Sequence, residues 1–174
     1  PPPALEAFKA TVRRTTAGVP HVKADSLGGM GYGYGYAFAE DNLCILEEEI
    51  LTVRGERAKH FGEAPYDLGN TSSDSNTSSD AVYKMLATKE VADKTRAALE
   101  PDVQASVRGF AAGVSRYVRE LKAGKHPGRH ATCAKEPWTR ELTDEDLYLR
   151  FFKLSLLGSS ATFIDGIAAA RRSA

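Results

Sequence analysis

The spacing of apolar residues changes several times along the chain, and each change marks an element. Residues 10–24, Ala-Thr-Val-Arg-Arg-Thr-Thr-Ala-Gly-Val-Pro-His-Val-Lys-Ala, join β-branched residues through a Thr16-Ala17-Gly18 turn and predict a β-hairpin. Pro20 cannot donate to a ladder, so the second strand should begin there or lie at an edge. Asp25 and Ser26 offer a helix N-cap or a turn. From Ala39 onward, Leu43, Leu46, Ile50 and Val53 recur at helical spacing, which predicts an amphipathic helix to about His60, stopped by Phe61-Gly62. Its acids (Glu40, Asp41, Glu47, Glu48, Glu49) precede its bases (Arg54, Arg57, Lys59), an order that suits the helix dipole. The run Glu47-Glu48-Glu49 reads as a solvated face.

Residues 70–80, Asn-Thr-Ser-Ser-Asp-Ser-Asn-Thr-Ser-Ser-Asp, have no apolar anchor and read as a polar loop. Two glycosylation sequons at Asn70 and Asn76 carry little weight in so Ser/Thr-rich a stretch. A helix is predicted over about 80–99. Another starts at Pro101, a favoured first-turn proline, with a stripe of Val103, Val107, Phe110, Val114, Tyr117 and Leu121. A Gly/Pro/Lys/His loop covers 122–131. Thr143 with Asp146 resembles a capping box and opens a helix through Leu157 that is apolar on much of its circumference, the pattern of a helix packed against more than one neighbour. Gly158-Ser159-Ser160 breaks it before a short tail of helical character. About five helices and one hairpin result. A lone hairpin is not a stable sheet in water, so either helices cover it or the rest of its sheet lies on another chain.

Composition narrows the function classes. The 174 residues carry 23 Lys+Arg against 23 Asp+Glu, and 42% are hydrophobic. That balance lacks the basic excess of a nucleic-acid footprint, and it is not the composition of a disordered acidic tail. No apolar run approaches the roughly 20 residues needed to span a bilayer. The chain opens Pro1-Pro2-Pro3 and closes Arg171-Arg172-Ser173-Ala174, ends expected of a processed, exported chain. Cys44 and Cys133 permit one disulfide or two free thiols, and the sequence leaves both open.

No complete catalytic set appears. Gly31, Gly33 and Gly35 alternate strictly, unlike G-x-G-x-x-G, and no Gly-Lys-Ser/Thr follows, so nucleotide binding is not supported. These Cβ-free positions instead let the backbone approach a neighbour while Tyr32, Tyr34 and Tyr36 pack or hydrogen-bond. His126, His130 and Cys133 lack zinc-site geometry, because Pro127-Gly128 interrupts the helix that H-x3-H needs. No Gly-x-Ser-x-Gly occurs, and Ser159 in Gly-Ser-Ser-Ala sits in no known nucleophile elbow.

Three segments in series carry a family resemblance: Arg14-Thr-Thr-Ala-Gly-Val-Pro-His-Val, Gly31-Tyr-Gly-Tyr-Gly-Tyr-Ala-Phe-Ala-Glu-Asp-Asn-Leu, and Leu51-Thr-Val-Arg-Gly-Glu-Arg-Ala-Lys-His-Phe-Gly. The chain resembles the small α chain of the penicillin acylase family of N-terminal-nucleophile hydrolases. Asp41-Asn42-Leu43-Cys44 with Thr52-Val-Arg-Gly-Glu-Arg is similar to the branch holding aculeacin A acylase, actinomycete penicillin V acylases and acyl-homoserine-lactone acylases.

The resemblance implies a mostly α fold with a β-hairpin, a single α-subunit piece (residues 1–174) of a four-layer αββα fold completed by a larger β chain. It implies a secreted or periplasmic precursor that cuts itself, with the nucleophile at the β-chain N-terminal serine and no catalytic residue in this chain. Substrates would be acyl amides: a lipopeptide, penicillin V or an N-acyl-homoserine lactone. The α chain's late helix would lend a wall of the acyl pocket, here Phe152, Ser155, Leu156 and Leu157. The position of a calcium-ligating glutamate in penicillin G acylases falls at Phe163, so calcium is weakly supported and no cofactor is expected. The alternative from another class is a non-catalytic helical module that grips a partner protein.

Overall fold

The structure is a computed structural model that describes residues 8–65 and 75–159, with Leu157 described in its backbone alone. Strands β1 (Thr11–Arg14) and β2 (Pro20–Lys23) precede six helices: α1 (Leu27–Val53), α2 (Arg57–Phe61), α3 (Asn76–Leu86), α4 (Lys89–Ala97), α5 (Pro101–Lys122) and α6 (Asp144–Gly158). The first part of the polar stretch (70–74), the expected tail and both termini lie outside the described residues.

The hairpin forms as its sequence predicts, with Val12 opposite Val22 and Pro20 opening the second strand. The Gly18 amide donates to Thr15 O across the turn, where Gly18 takes φ 81°, a conformation that favours glycine. Ser26 caps α1, its Oγ accepting from the Gly29 amide at 3.0 Å.

Helix α1 differs from the sequence reading at both ends. It begins at Leu27, so the glycine run is helical, and it ends at Val53 rather than near His60, with a local kink at Asn42. Glycine costs about 1 kcal/mol against alanine inside a helix, so packing must compensate. A Cβ on Gly31 or Gly35 would lie 2.1 or 2.2 Å from the carbonyl oxygens of Ser106 and Phe110 in α5. From the other side, one on Gly109 or Gly113 would meet the carbonyl oxygens of Gly28 and Tyr32 at 2.0 and 2.1 Å. The two helices therefore touch backbone to backbone, and the matched positions rise together, so they run parallel. Gly33 faces the hairpin, where a Cβ would stand 2.6 Å from Val22 Cγ1. Alternate positions on a helix lie about 200° apart, so strictly alternating glycines open two opposite faces, one to α5 and one to the hairpin.

The polar stretch also differs from expectation. Ser75 is an N-cap and Asn76–Leu86 is helix, so residues 76–80 are not loop. The reason is distant: Asp80 accepts from the Arg57 and Ala58 amides at 2.8 and 2.9 Å, capping α2, while Asn76 bonds Arg57 Nε at 3.0 Å and Gly62 O at 2.9 Å. The helix expected over 80–99 is two, because Ala87 leaves the helical conformation and Thr88 caps α4. Asn76 is buried, which leaves its sequon without access.

The core lies where α1, α5 and α6 meet, around Leu43, Leu46, Ile50, Val114, Tyr117, Leu147 and Tyr148. The turns after α5 are fastened to it twice. Cys44 and Cys133 form a disulfide, and Ser115 Oγ both donates to Leu142 O (3.0 Å) and accepts from its amide (2.9 Å). One sequence reading fails inside this core. Glu48 is exposed and Glu49 pairs with Lys153, but Glu47 is buried on the apolar face rather than solvated. It follows Leu43 by four positions and precedes Ile50 by three, spacing that turns it inward.

Candidate functional site

Helix α6 is held rigidly. Its capping box is complete: Thr143 Oγ1 accepts from the Asp146 amide and the Asp146 carboxylate accepts from the Thr143 amide at 2.7 Å. The same carboxylate takes a two-pronged bond from Arg54 Nε and Nη2, both at 2.6 Å, fixing the start of α6 to the end of α1. One turn from the far end, Lys153 Nζ reaches Glu49 at 2.6 Å. Arg96 of α4 lies over the Tyr148 ring at 5.2 Å, so α1 and α4 both position this helix.

Phe152, Ser155 and Leu156 fall at i, i+3 and i+4 and share one face of α6. Phe152 and Leu156 are half-buried, and Ser155 is exposed with Oγ donating to Phe152 O at 2.7 Å. That hydroxyl is turned back onto its own helix. The side chain of Leu157 lies outside what is described.

Among the described residues, a concavity on α6 opens beside this face. A groove of about 350 Å³ is walled by Tyr34 and Phe38 of α1, Phe110 of α5, and Leu147, Arg150 and Phe151 of α6. Its aromatic side is organised: Tyr34 meets Phe38 and Phe110 edge-on at centroid distances of 6.1 and 5.4 Å. Sequence reasoning missed Tyr34 and Phe38 as wall residues. Their i, i+4 spacing is the signal, and it becomes readable once the glycine run is a helix. A larger hollow of about 830 Å³ lies under the 121–137 segment, lined by Lys122, His126, Arg129 and Lys135, and no α6 residue takes part in it.

Polar groups near that hollow hold structure together. Glu120 accepts from Tyr36 OH (2.8 Å) and Arg116 Nε (2.9 Å) and lies 3.3 Å from His126 Nε2. Burial alone would raise the Glu120 carboxyl, but these partners outweigh it and bring it down to about 2. Glu47 is the opposite case. Neither of its carboxylate oxygens makes a well-formed hydrogen bond among the described residues. Burial pushes it up to about 8, against the opposing pull of the Arg140 amide and of the Arg54 and Arg140 guanidinium groups.

Ser159 Oγ donates to Ser155 O at 2.6 Å, so it serves the end of α6. Cys44 and Cys133 are bonded to each other. Among the described residues no group of three or more His, Cys, Asp or Glu could hold a metal ion, and no helix is long and apolar enough to cross a membrane. Phe163, at the position expected for a calcium ligand, lies outside the described residues and brings no oxygen donor.

Comparison with known proteins gives this geometry its context. The chain is 37% identical over 166 residues to the acyl-homoserine lactone acylase PvdQ of Pseudomonas savastanoi pv. phaseolicola, covering 95% of this chain and 20% of that protein. It is 34% identical to the aculeacin-A acylase of Actinoplanes utahensis, covering 94% of this chain and 20% of that protein. The chain thus spans about a fifth of the length of the curated relatives it matches. Among solved structures, a thermostable penicillin G acylase from Alcaligenes faecalis superposes with a TM-score of 0.70 at 27% identity, covering 92% of this chain and 78% of that chain. The penicillin amidase family model matches residues 9–170. A match running from β1 through the whole of α6 leaves one conclusion: the chain belongs to the penicillin amidase family, as the part that corresponds to its small subunit.

Proposed function

We propose that this chain is the small, non-catalytic subunit of an exported two-chain acylase. The enzyme hydrolyses the amide of an N-acylated substrate, a lipopeptide, penicillin V or N-acyl-homoserine lactone. The observation that carries this reading is similarity along nearly the whole chain to acylases of two kinds, at about a fifth of their length. A larger companion completes the four-layer αββα fold and supplies the nucleophile, its N-terminal serine. The free α-amine of that serine takes the hydroxyl proton, the oxygen attacks the acyl carbonyl, and the α-amine passes that proton to the substrate nitrogen, which leaves as an amine. Water then releases the acid from the acyl-enzyme. The Cys44–Cys133 disulfide supports export, since such bonds persist in oxidising compartments.

The contribution of this chain is shape. The α6 face bearing Phe152, Ser155, Leu156 and Leu157 forms one wall of the acyl pocket. It carries aliphatic groups, so it favours an aliphatic tail. Each buried methylene is worth about 0.8 kcal/mol, or roughly fourfold in affinity, so a pocket two methylenes shorter discriminates by about 15-fold. Leu156→Trp and Leu157→Trp enzymes are therefore expected to prefer shorter acyl chains when kcat/KM is measured across a chain-length series. An unchanged preference in both would remove these residues from the pocket.

A further inference from the structure

The groove between α1, α5 and α6 belongs to a wider apolar face. Met30 precedes Tyr34 by one helical turn, Val103 precedes Val107 and Leu154 follows Arg150, so the wall residues continue as a stripe on each helix. Met30, Tyr34, Val103, Phe151 and Leu154 are each between 41% and 52% exposed. Single exposed apolar side chains are ordinary, but a contiguous set around a formed groove marks an interaction surface. Arg150 adds a polar requirement. Its Nε is buried without a hydrogen-bond partner, and its nearest carboxylate, Glu49, stands 3.9 Å away.

We propose that this face is where the companion polypeptide docks, inserting apolar side chains between Tyr34, Phe110 and Phe151 and presenting a carbonyl or carboxylate oxygen to Arg150. The assignment rests on the two-chain reading above. Its occupant follows from length: about four-fifths of the relatives' chain is absent here. The matching chain of the penicillin G acylase structure is also short, since this chain covers 78% of it. Most of such an enzyme must therefore be built around a small helical piece, and this groove-bearing face is a contiguous apolar surface that piece offers. The groove is shaped for side chains rather than for a flat contact, as a buried anchor site requires.

The test uses the processed enzyme, made from its whole precursor with the photo-reactive residue p-benzoyl-phenylalanine replacing Tyr34. Irradiation is expected to join the two chains into one heavier species containing companion peptides. In parallel, Phe151→Asp and Leu154→Asp should each lower the companion recovered with the purified chain by about tenfold. Met85→Asp, on α3 and 70% exposed in the starting chain, should leave recovery unchanged. Cross-linking to a second copy of this chain, or none in an enzyme that is assembled and active, would overturn the docking site while leaving the acylase reading intact. A wild-type preparation with no companion and no acylase activity would overturn both.

Discussion

Replacing Glu47 by Gln should make the protein more stable, and increasingly so as pH rises. Glu47 is 1% exposed, its carboxyl makes no well-formed hydrogen bond, and burial pushes it up to about 8 from an ordinary value of 4.5. Between those values the folded chain keeps the proton and the unfolded chain releases it. A raised carboxyl therefore acts oppositely to a salt-bridged one: its contribution is intact below pH 4.5, erodes as pH rises, and levels off above about 8. Each unit in mid-window costs about 1.4 kcal/mol and less near either end, so the loss from pH 5 to pH 8 is about 3 kcal/mol. Glutamine matches the neutral carboxyl in shape and has no proton to lose. Urea unfolding of wild type and Glu47→Gln, followed by circular dichroism at both pH values, should show the gap widening by about 3 kcal/mol. The difference between the two proteins cancels the other titrating groups, including nearby Asp146. A gap that stays constant with pH would refute the reasoning, because Glu47 would then be ionised in the fold.

Three further outcomes test the packing. Gly35→Ala drives a Cβ to 2.2 Å from the Phe110 carbonyl, so it should cost about 3 kcal/mol, whereas Gly158→Ala, with open space around it, should change stability by no more than about 1 kcal/mol. Denaturant midpoints of the two variants compare them directly, and equal effects would count against backbone contact between α1 and α5. Cys44→Ser with Cys133→Ser opens a loop closed across 89 positions and should lose about 4 kcal/mol. Reductant should then destabilise wild type but leave the double variant unaffected. Asp146→Ala strips both Arg54 bonds and the Thr143 cap, leaving a partly buried guanidinium unpaired, and should cost about 3 kcal/mol. Asp146→Asn, which retains an acceptor for the Thr143 amide, should recover part of that loss in the same unfolding assay.

The elements that sequence predicts well are those with local signals. Pro20 and the Thr16-Ala17-Gly18 turn place the hairpin, Pro101 starts α5, and Thr143 with Asp146 starts α6. The failures arise where distant partners decide. Alternating Gly and Tyr read as no regular element, yet α5 and the hairpin press on opposite sides of that segment and reward a helix there. The Ser/Asn-rich stretch at 76–80 has little helical propensity of its own, and it folds because Arg57, Ala58 and Gly62 need its oxygens and amide. Glu47 was legible, since its spacing from Leu43 and Ile50 places it inside, but the acidic run around it masked that signal. The candidate site divides the same way. Helix α6 was readable from its apolar pattern, whereas the groove beside it needs Tyr34 and Phe38 from a segment that only tertiary packing makes helical.

In the proposed function, this chain shapes an acylase without performing its chemistry. The most direct measurement of this role is hydrolysis of N-acyl-homoserine lactones of graded chain length by the chain expressed alone and by the chain produced with the rest of its precursor. No turnover is expected from the chain alone, and turnover by the assembled enzyme should depend on acyl length. Hydrolysis by the isolated chain would contradict that role. So would an assembled enzyme that cleaves no acyl amide of this series, of a lipopeptide or of penicillin V.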